Sequence, residues 1–163
     1  MSAPPLSNQR AIIDRRKLAH QIGELQGEGA ESRDAVLALL RTALEDGRAE
    51  MSRRLLDNPS AGHSLTGGYS FLHDQLIRLI HDYASAVLAP PAEGKPARAM
   101  TIIAAGGYGR EEMAPHSDVD LAFLCEKPDD ECTVKLIEAI LYLLWDLGLT
   151  IGHSVRSVDD IVT

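Results

Sequence analysis

Asp118 and Asp120, with a single valine between them, are the residues of this chain best placed to do chemistry. In an extended segment side chains alternate, so both carboxylates would leave one face of a strand, about 6–7 Å apart along the chain. Mg²⁺ is a hard cation that takes one or two carboxylates and completes its octahedral shell with water and substrate phosphates. Upstream, Gly106-Gly107-Tyr108-Gly109-Arg110 follows a short apolar run. In such a turn, backbone N–H groups can close on phosphate oxygens because glycine has no Cβ, and Arg110 could add a charge-assisted contact. A phosphate cradle beside a metal-binding carboxylate pair is the equipment for in-line transfer at phosphorus. The glycine turn by itself is weak evidence. It is not GxxxxGK[ST], and GxGxxG fails because Glu112 stands where the third glycine would be. A strand, Gly-Gly, about ten residues and a strand-borne Asp-x-Asp together form a far more specific pattern.

The elements that must carry these residues follow from periodicity. Ile12, Ile13, Leu18, Ala19, Ile22 and Leu25 fall near a helical period from Asn8 to Gln26, and Gly27-Glu28-Gly29 ends it. Ser32 or Glu31 opens a second helix whose face, from Val36 through Leu40, Leu44, Met51 and Leu55, continues past Gly47 to Leu56. Asp57-Asn58-Pro59 stops that helix, and a Gly/Ser/His-rich connection over Ser60 to Gly68 leads to a third, with Phe71, Leu72, Leu76, Leu79, Ile80, Tyr83 and Val87. Pro90-Pro91 and Gly94-Lys95-Pro96 then make a linker. Beyond it the period changes. Ala99 to Ala105 reads as a buried strand delivering the glycine turn, and Val119 to Leu124 as a second strand. Glu131 to Leu147 reads as a helix with the stripe Val134, Ile137, Leu141, Leu144 and Trp145, stopped by Gly148. Thr150 to Val155 reads as a third strand. The expectation is an α+β chain: a helical region over 1–95 and a small mixed-sheet core over 96–163.

Bulk properties narrow the class. A chain of 163 residues, 45% hydrophobic, can bury an ordinary core. No apolar run is long enough to span a bilayer and no leader-like segment opens the chain, so a cytoplasmic location without membrane contact is expected. The net charge of −8 is unevenly spread: residues 1–98 hold twelve Lys/Arg and twelve Asp/Glu, residues 99–163 four and twelve. An acidic sheet region repels nucleic acid and tolerates a nucleotide only where divalent metal offsets the repulsion. Cys125 and Cys132 lack CxxC spacing and read as buried or half-buried thiols.

The Gly106-Gly107 and Asp118-Val119-Asp120 pattern resembles the polymerase-β-type nucleotidyltransferase signature. The longer strings GGYGREEMAPHSDVDLAFL and LLWDLGLTIGHSVRSVDD, spanning about Ile102 to Asp160, are similar to the N-terminal part of the bifunctional PII uridylyltransferase/uridylyl-removing enzymes of bacterial nitrogen control. That resemblance implies transfer of UMP from UTP to a tyrosine of the PII signalling protein, with Mg²⁺. It assigns Gly106 and Gly107 to the phosphates and Asp118 and Asp120 to the metal, with Ser117 preceding the pair as the family pattern has it. The family also has a third carboxylate on a later strand, a metal-dependent HD hydrolase domain and glutamine-sensing ACT domains. Asp159 and Asp160 are the late candidates here, yet they follow Ser157 as if capping a helix. The third carboxylate is therefore expected beyond Thr163, which makes the chain an incomplete core. Two classes stand: the catalytic domain of a protein uridylyltransferase, and a catalytically incomplete nucleotide-binding or regulatory module. A small-molecule or RNA-directed transferase of the same fold is disfavoured by the acidic sheet half.

The remaining polar residues read mostly as structural. His73-Asp74 and His81-Asp82 lie eight residues apart and are expected on a surface or partner-facing helix side, not in a hydrolase site. His116 is expected to pack its loop, and Tyr108 to fill the glycine turn. Glu111 and Glu112 read as acids in the first turn of a short helix. His153 and Arg156, in the strand after the pair, are divided evenly between substrate contact and structural hydrogen bonding.

Overall fold

The computed structural model describes residues 6–25, 30–93 and 99–162. Two compact units result, one from Met1–Leu79 with Glu111–Ser117 and the other from Ile80–Arg110 with Asp118–Thr163. No helix among the described residues is long and apolar enough to cross a membrane.

The first unit is helical. The single helix expected from Asn8 is two: α1 (Gln9–Ile12) and α2 (Arg15–Glu24). The break falls at Ile13, which is extended, and at Asp14, whose carboxylate accepts from the Lys17 N–H at 3.1 Å and so caps α2. Asp14 interrupts the chain where apolar periodicity alone runs on. The glycines expected to end this helix lie outside the described residues. Helix α3 (Ala30–Asp57) and helix α4 (Gly62–Tyr83) carry most of the core, with Val36, Leu40, Leu44, Met51, Leu72 and Leu76 at 1% exposure or less. The connection expected over Ser60 to Gly68 is mostly helix instead, because α4 starts at Gly62. Glycine here serves close packing. A Cβ on Gly68 would strike the Met51 thioether, and one on Gly47 would strike the Leu72 methyl groups. His73 is also not on the surface: it is 4% exposed, with Nδ1 2.7 Å from the Tyr69 carbonyl oxygen, and burial pushes its pKa down. His81 does stand half-exposed, 3.3 Å from the Asp82 carboxylate.

The second unit holds the sheet. After α4 the backbone widens into a π-helical turn, Ala84–Leu88. Strands β1 (Met100–Ala104), β2 (Val119–Cys125) and β3 (Ile151–Ser157) lie in the order β1-β2-β3, with β1 antiparallel and β3 parallel to β2. The parallel pair requires a crossover, which α6 (Glu131–Asp146) supplies. The sheet is thus mixed and the chain α+β, as expected. Strand β2 alternates strictly: Val119, Leu121, Phe123 and Cys125 are buried, and the residues between them are half-buried. Strand β1, expected to be buried, has no buried residue: Thr101 and Ile103 are exposed, and Met100, Ile102 and Ala104 are half-buried. Its apolar run reflects a position at the sheet edge, not burial on both sides.

Helix α6 begins at Asp130, whose Oδ2 accepts from the N–H groups of Cys132 at 3.0 Å and Thr133 at 3.1 Å. It ends in a Schellman motif around Gly148 at φ 79°, with Gly148 N–H donating to Trp145 O and Leu149 N–H to Leu144 O. Its buried stripe is Leu136, Ile137, Ile140, Leu141, Leu143 and Leu144, each worth roughly 1.5–3 kcal/mol of transfer free energy. Val134 and Trp145, expected in that stripe, are 39% and 43% exposed. Both Cys125 and Cys132 are free thiols, one buried and one half-buried. Helix α7 (Val158–Val162) opens with the capping box expected at Ser157: Ser157 N–H donates to Asp160 Oδ2 at 2.9 Å, and Asp160 N–H to Ser157 Oγ at 3.1 Å.

Candidate functional site

The glycine turn and the second carboxylate meet in one place. β1 ends at Ala104, and Ala105 N–H donates to the Asp120 carbonyl oxygen at 2.9 Å, which pins the turn to β2. Gly106 follows at φ 55°, a left-handed value that an L side chain rarely adopts, and opens the single-turn helix α5 (Gly106–Gly109). A Cβ at Gly106 would fall on Asp120 Oδ2. The glycine therefore serves both the backbone turn and the carboxylate. Gly109 closes α5 through its N–H to Ala105 O at 2.8 Å, and a Cβ there would lie 2.6 Å from the Ala104 carbonyl oxygen. Tyr108 is buried.

On its other side the Asp120 carboxylate meets β3. Asp120 pairs with Gly152 in the parallel register, and a Cβ on Gly152 would fall on Asp120 Oδ1. Each carboxylate oxygen thus lies against a glycine from a different element. Sequence reading passed over Gly152; the available signal was a glycine inside a strand, which often marks close approach of another group. Asp120 itself is half-buried. Asp118 lies one residue before β2, whose pairing starts with Val119 N–H donating to Thr150 O at 2.9 Å, and Asp118 is exposed.

Of the other residues expected at the site, Gly107 is the second residue of α5 and Arg110 is its exposed C-terminal cap, with its N–H 3.3 Å from Gly106 O. Ser117 belongs to the first unit. Its hydroxyl donates to Ala114 O at 2.9 Å and accepts from Ala114 N–H at 3.1 Å, so its one proton is committed within the loop. His116 in that loop has φ 65° and is exposed. Glu111 and Glu112 follow α5 and do not open it; α5 starts directly after β1, and Glu111 takes a left-handed φ of 58° at its C-terminal side. The dipole argument for these two acids therefore fails. His153 pairs with Leu121, so it shares the α6 side of the sheet, where its ring meets Trp145 edge-on at 6.2 Å between centroids. Ser154 and Arg156, paired with Ala122 and Leu124, share the face of Asp120.

The donor set has the composition that Mg²⁺ accepts: two aspartates, one half-buried and held, one exposed. Among the described residues no group of three or more His, Cys, Asp or Glu could hold a metal, so water and phosphate oxygens would complete the shell. Of the late carboxylates, Asp160 is held in the capping box with Ser157, and hydrogen bonds to its carboxylate from the Ser157 backbone N–H and then the Ser157 side chain lower its pKa.

Comparison with known proteins gives these features a family. Residues 47–151 match the family described as "Putative nucleotidyltransferase DUF294". The chain is similar to the "Bifunctional uridylyltransferase/uridylyl-removing enzyme" of Erythrobacter litoralis, 49% identical over 163 residues, and to that of Novosphingobium aromaticivorans, 52% identical over 161 residues. The protein of the same name from Rhodospirillum rubrum is 39% identical over 165 residues. Each alignment takes in 98–99% of this chain but 18% of the relative. No solved structure matches the chain. The chain belongs to the DUF294 nucleotidyltransferase family.

Proposed function

We propose that this chain carries the nucleotide- and Mg²⁺-binding part of a uridylyltransferase that transfers UMP from UTP to a tyrosine of the PII nitrogen-signalling protein in the cytoplasm. The observation that carries the reading is the Asp120 carboxylate held against Gly106 of the Gly-Gly turn, beside Asp118. The name that the relatives share, uridylyltransferase, supplies the uridylyl group.

Asp118 and Asp120 would hold Mg²⁺, which supplies charge neutralisation for the transferring phosphoryl group. Gly106 and Gly107 stand at the first positions of α5, where N–H groups have no partner within the helix and can meet phosphate oxygens. Arg110, exposed at the end of that turn, adds a cation that can approach the triphosphate. The half-burial of Asp120 limits water around one ligand and keeps its orientation fixed before substrate arrives, so less ordering is left for the reactive complex.

The second reading, a nucleotide-binding or regulatory module without full catalysis, is favoured by one observation: Asp160 is taken up in the α7 capping box. Calorimetry of UTP with Mg²⁺ tests the site in either case. Asp118→Asn with Asp120→Asn is expected to abolish metal-dependent UTP binding; unchanged affinity in that double variant overturns the assignment. Incubating the protein with PII and labelled UTP separates the two readings, since only the first predicts label on a PII tyrosine.

A further inference from the structure

Gly152 has no backbone reason to be glycine. It lies inside β3, where glycine weakens a strand, and unlike Gly106 and Gly148 it does not have a positive φ. What distinguishes the position is its partner. Gly152 stands opposite Asp120, and a Cβ there would collide with Asp120 Oδ1.

We propose that Gly152 is a positioning residue for the carboxylate site: its bare Cα admits the Asp120 carboxylate in the one orientation that also rests against Gly106. The proposal depends on the reading of Asp118 and Asp120 as the metal ligands. The atom that a new methyl would meet is the end of a short side chain, not backbone. Rotation of Asp120 about χ1 and χ2 therefore relieves the collision while β3 stays paired. At Gly109 the corresponding obstacle is the Ala104 carbonyl, which cannot move without moving β1. Gly152→Ala should thus leave the fold in place and turn the carboxylate away. Loss of an orienting neighbour commonly weakens a metal site by about 10–100-fold.

The test titrates Mn²⁺ alone into the protein and follows free ion by electron paramagnetic resonance, with thermal midpoints measured in parallel. Wild type and His153→Ala, whose side chain lies on the opposite face, are expected to bind alike. Asp120→Asn is expected to lose binding. Gly152→Ala is expected to bind at least about tenfold more weakly with its thermal midpoint close to that of wild type. Wild-type affinity in Gly152→Ala overturns the proposal and leaves the carboxylate assignment standing. Wild-type affinity in Asp120→Asn, or no binding by wild type, overturns the assignment and the proposal with it. Should Gly152→Ala melt early, Asp120→Ala is added to it: the double variant is expected to recover the midpoint of Asp120→Ala alone. Failure to recover shows that the methyl collides with something other than the carboxylate and overturns the proposal.

Discussion

Glu50 offers a pH-dependent stability whose sign and order of magnitude follow from its two arginine partners. Its Oε2 and Oε1 accept from Arg53 Nε and Nη2, both at 2.9 Å, and Oε1 also accepts from Arg54 Nε at 2.8 Å. Hydrogen bonds from Arg53 and then Arg54 lower the Glu50 pKa from 4.5 to about 2. A carboxylate with a depressed folded pKa stabilises the fold above its unfolded pKa and loses that contribution as pH falls through the folded value. Converted at about 1.36 kcal/mol per pH unit, the interval gives a ceiling of about 3 kcal/mol. Arg53 is 59% exposed, so its share is screened by water, while Arg54 and Glu50 are 19% and 14% exposed. We therefore expect about 1–2 kcal/mol. Glu50→Gln removes the titration and keeps one acceptor. Urea denaturation of both proteins between about pH 6 and about pH 2.5 should show wild type more stable at the upper end, with the difference closing at the lower end. A difference that stays constant across the range refutes the argument. Arg54 also donates to Ser7 O at 2.8 Å and Asn8 O at 2.9 Å, so Glu50→Gln should speed amide exchange in α1.

Three further outcomes can be checked. Phe123→Ala, at a fully buried position on β2, should cost about 3–5 kcal/mol in urea unfolding, because the central strand cannot collapse around the vacancy. Gly109→Ala should lower stability by about 1–3 kcal/mol in the same assay, since the Ala104 carbonyl must shift to admit the methyl. Asp130→Ala should cost about 1 kcal/mol and reduce α6 helicity by circular dichroism, because two N–H groups of the first turn lose their acceptor.

The strands, the crossover helix and its Gly148 stop were legible because each rests on local pattern: alternation in β2, the apolar period of α6 and a glycine after its last turn. The alternation in β2 also placed Asp120 on the face opposite Val119 and Leu121. Elsewhere tertiary contacts decided. Gly67 and Gly68 read as a connection by composition, yet α4 runs through them because Met51 packs where the Gly68 side chain would be. Ile12 and Ile13 looked like one helix with Leu18, and a single carboxylate, Asp14, split it. His73, eight residues before His81 on the same helix, was expected on a surface or partner-facing side; its ring is buried against a carbonyl one turn back. Gly152 carried a signal, a glycine inside a strand, that does not say what approaches it. Its role is to leave space for a residue 32 positions earlier, and only the parallel register brings the two together.

The strict alternation of β2 has a consequence for control. The seven residues that place Val119, Leu121, Phe123 and Cys125 in the core are the same seven that present Asp120. Opening the strand to release the Asp120 carboxylate would expose the core beside it, so Asp120 is not freed by local melting of β2 at small cost. A change that displaces the Asp120 carboxylate at small energetic cost therefore has to leave β2 paired and its buried face covered.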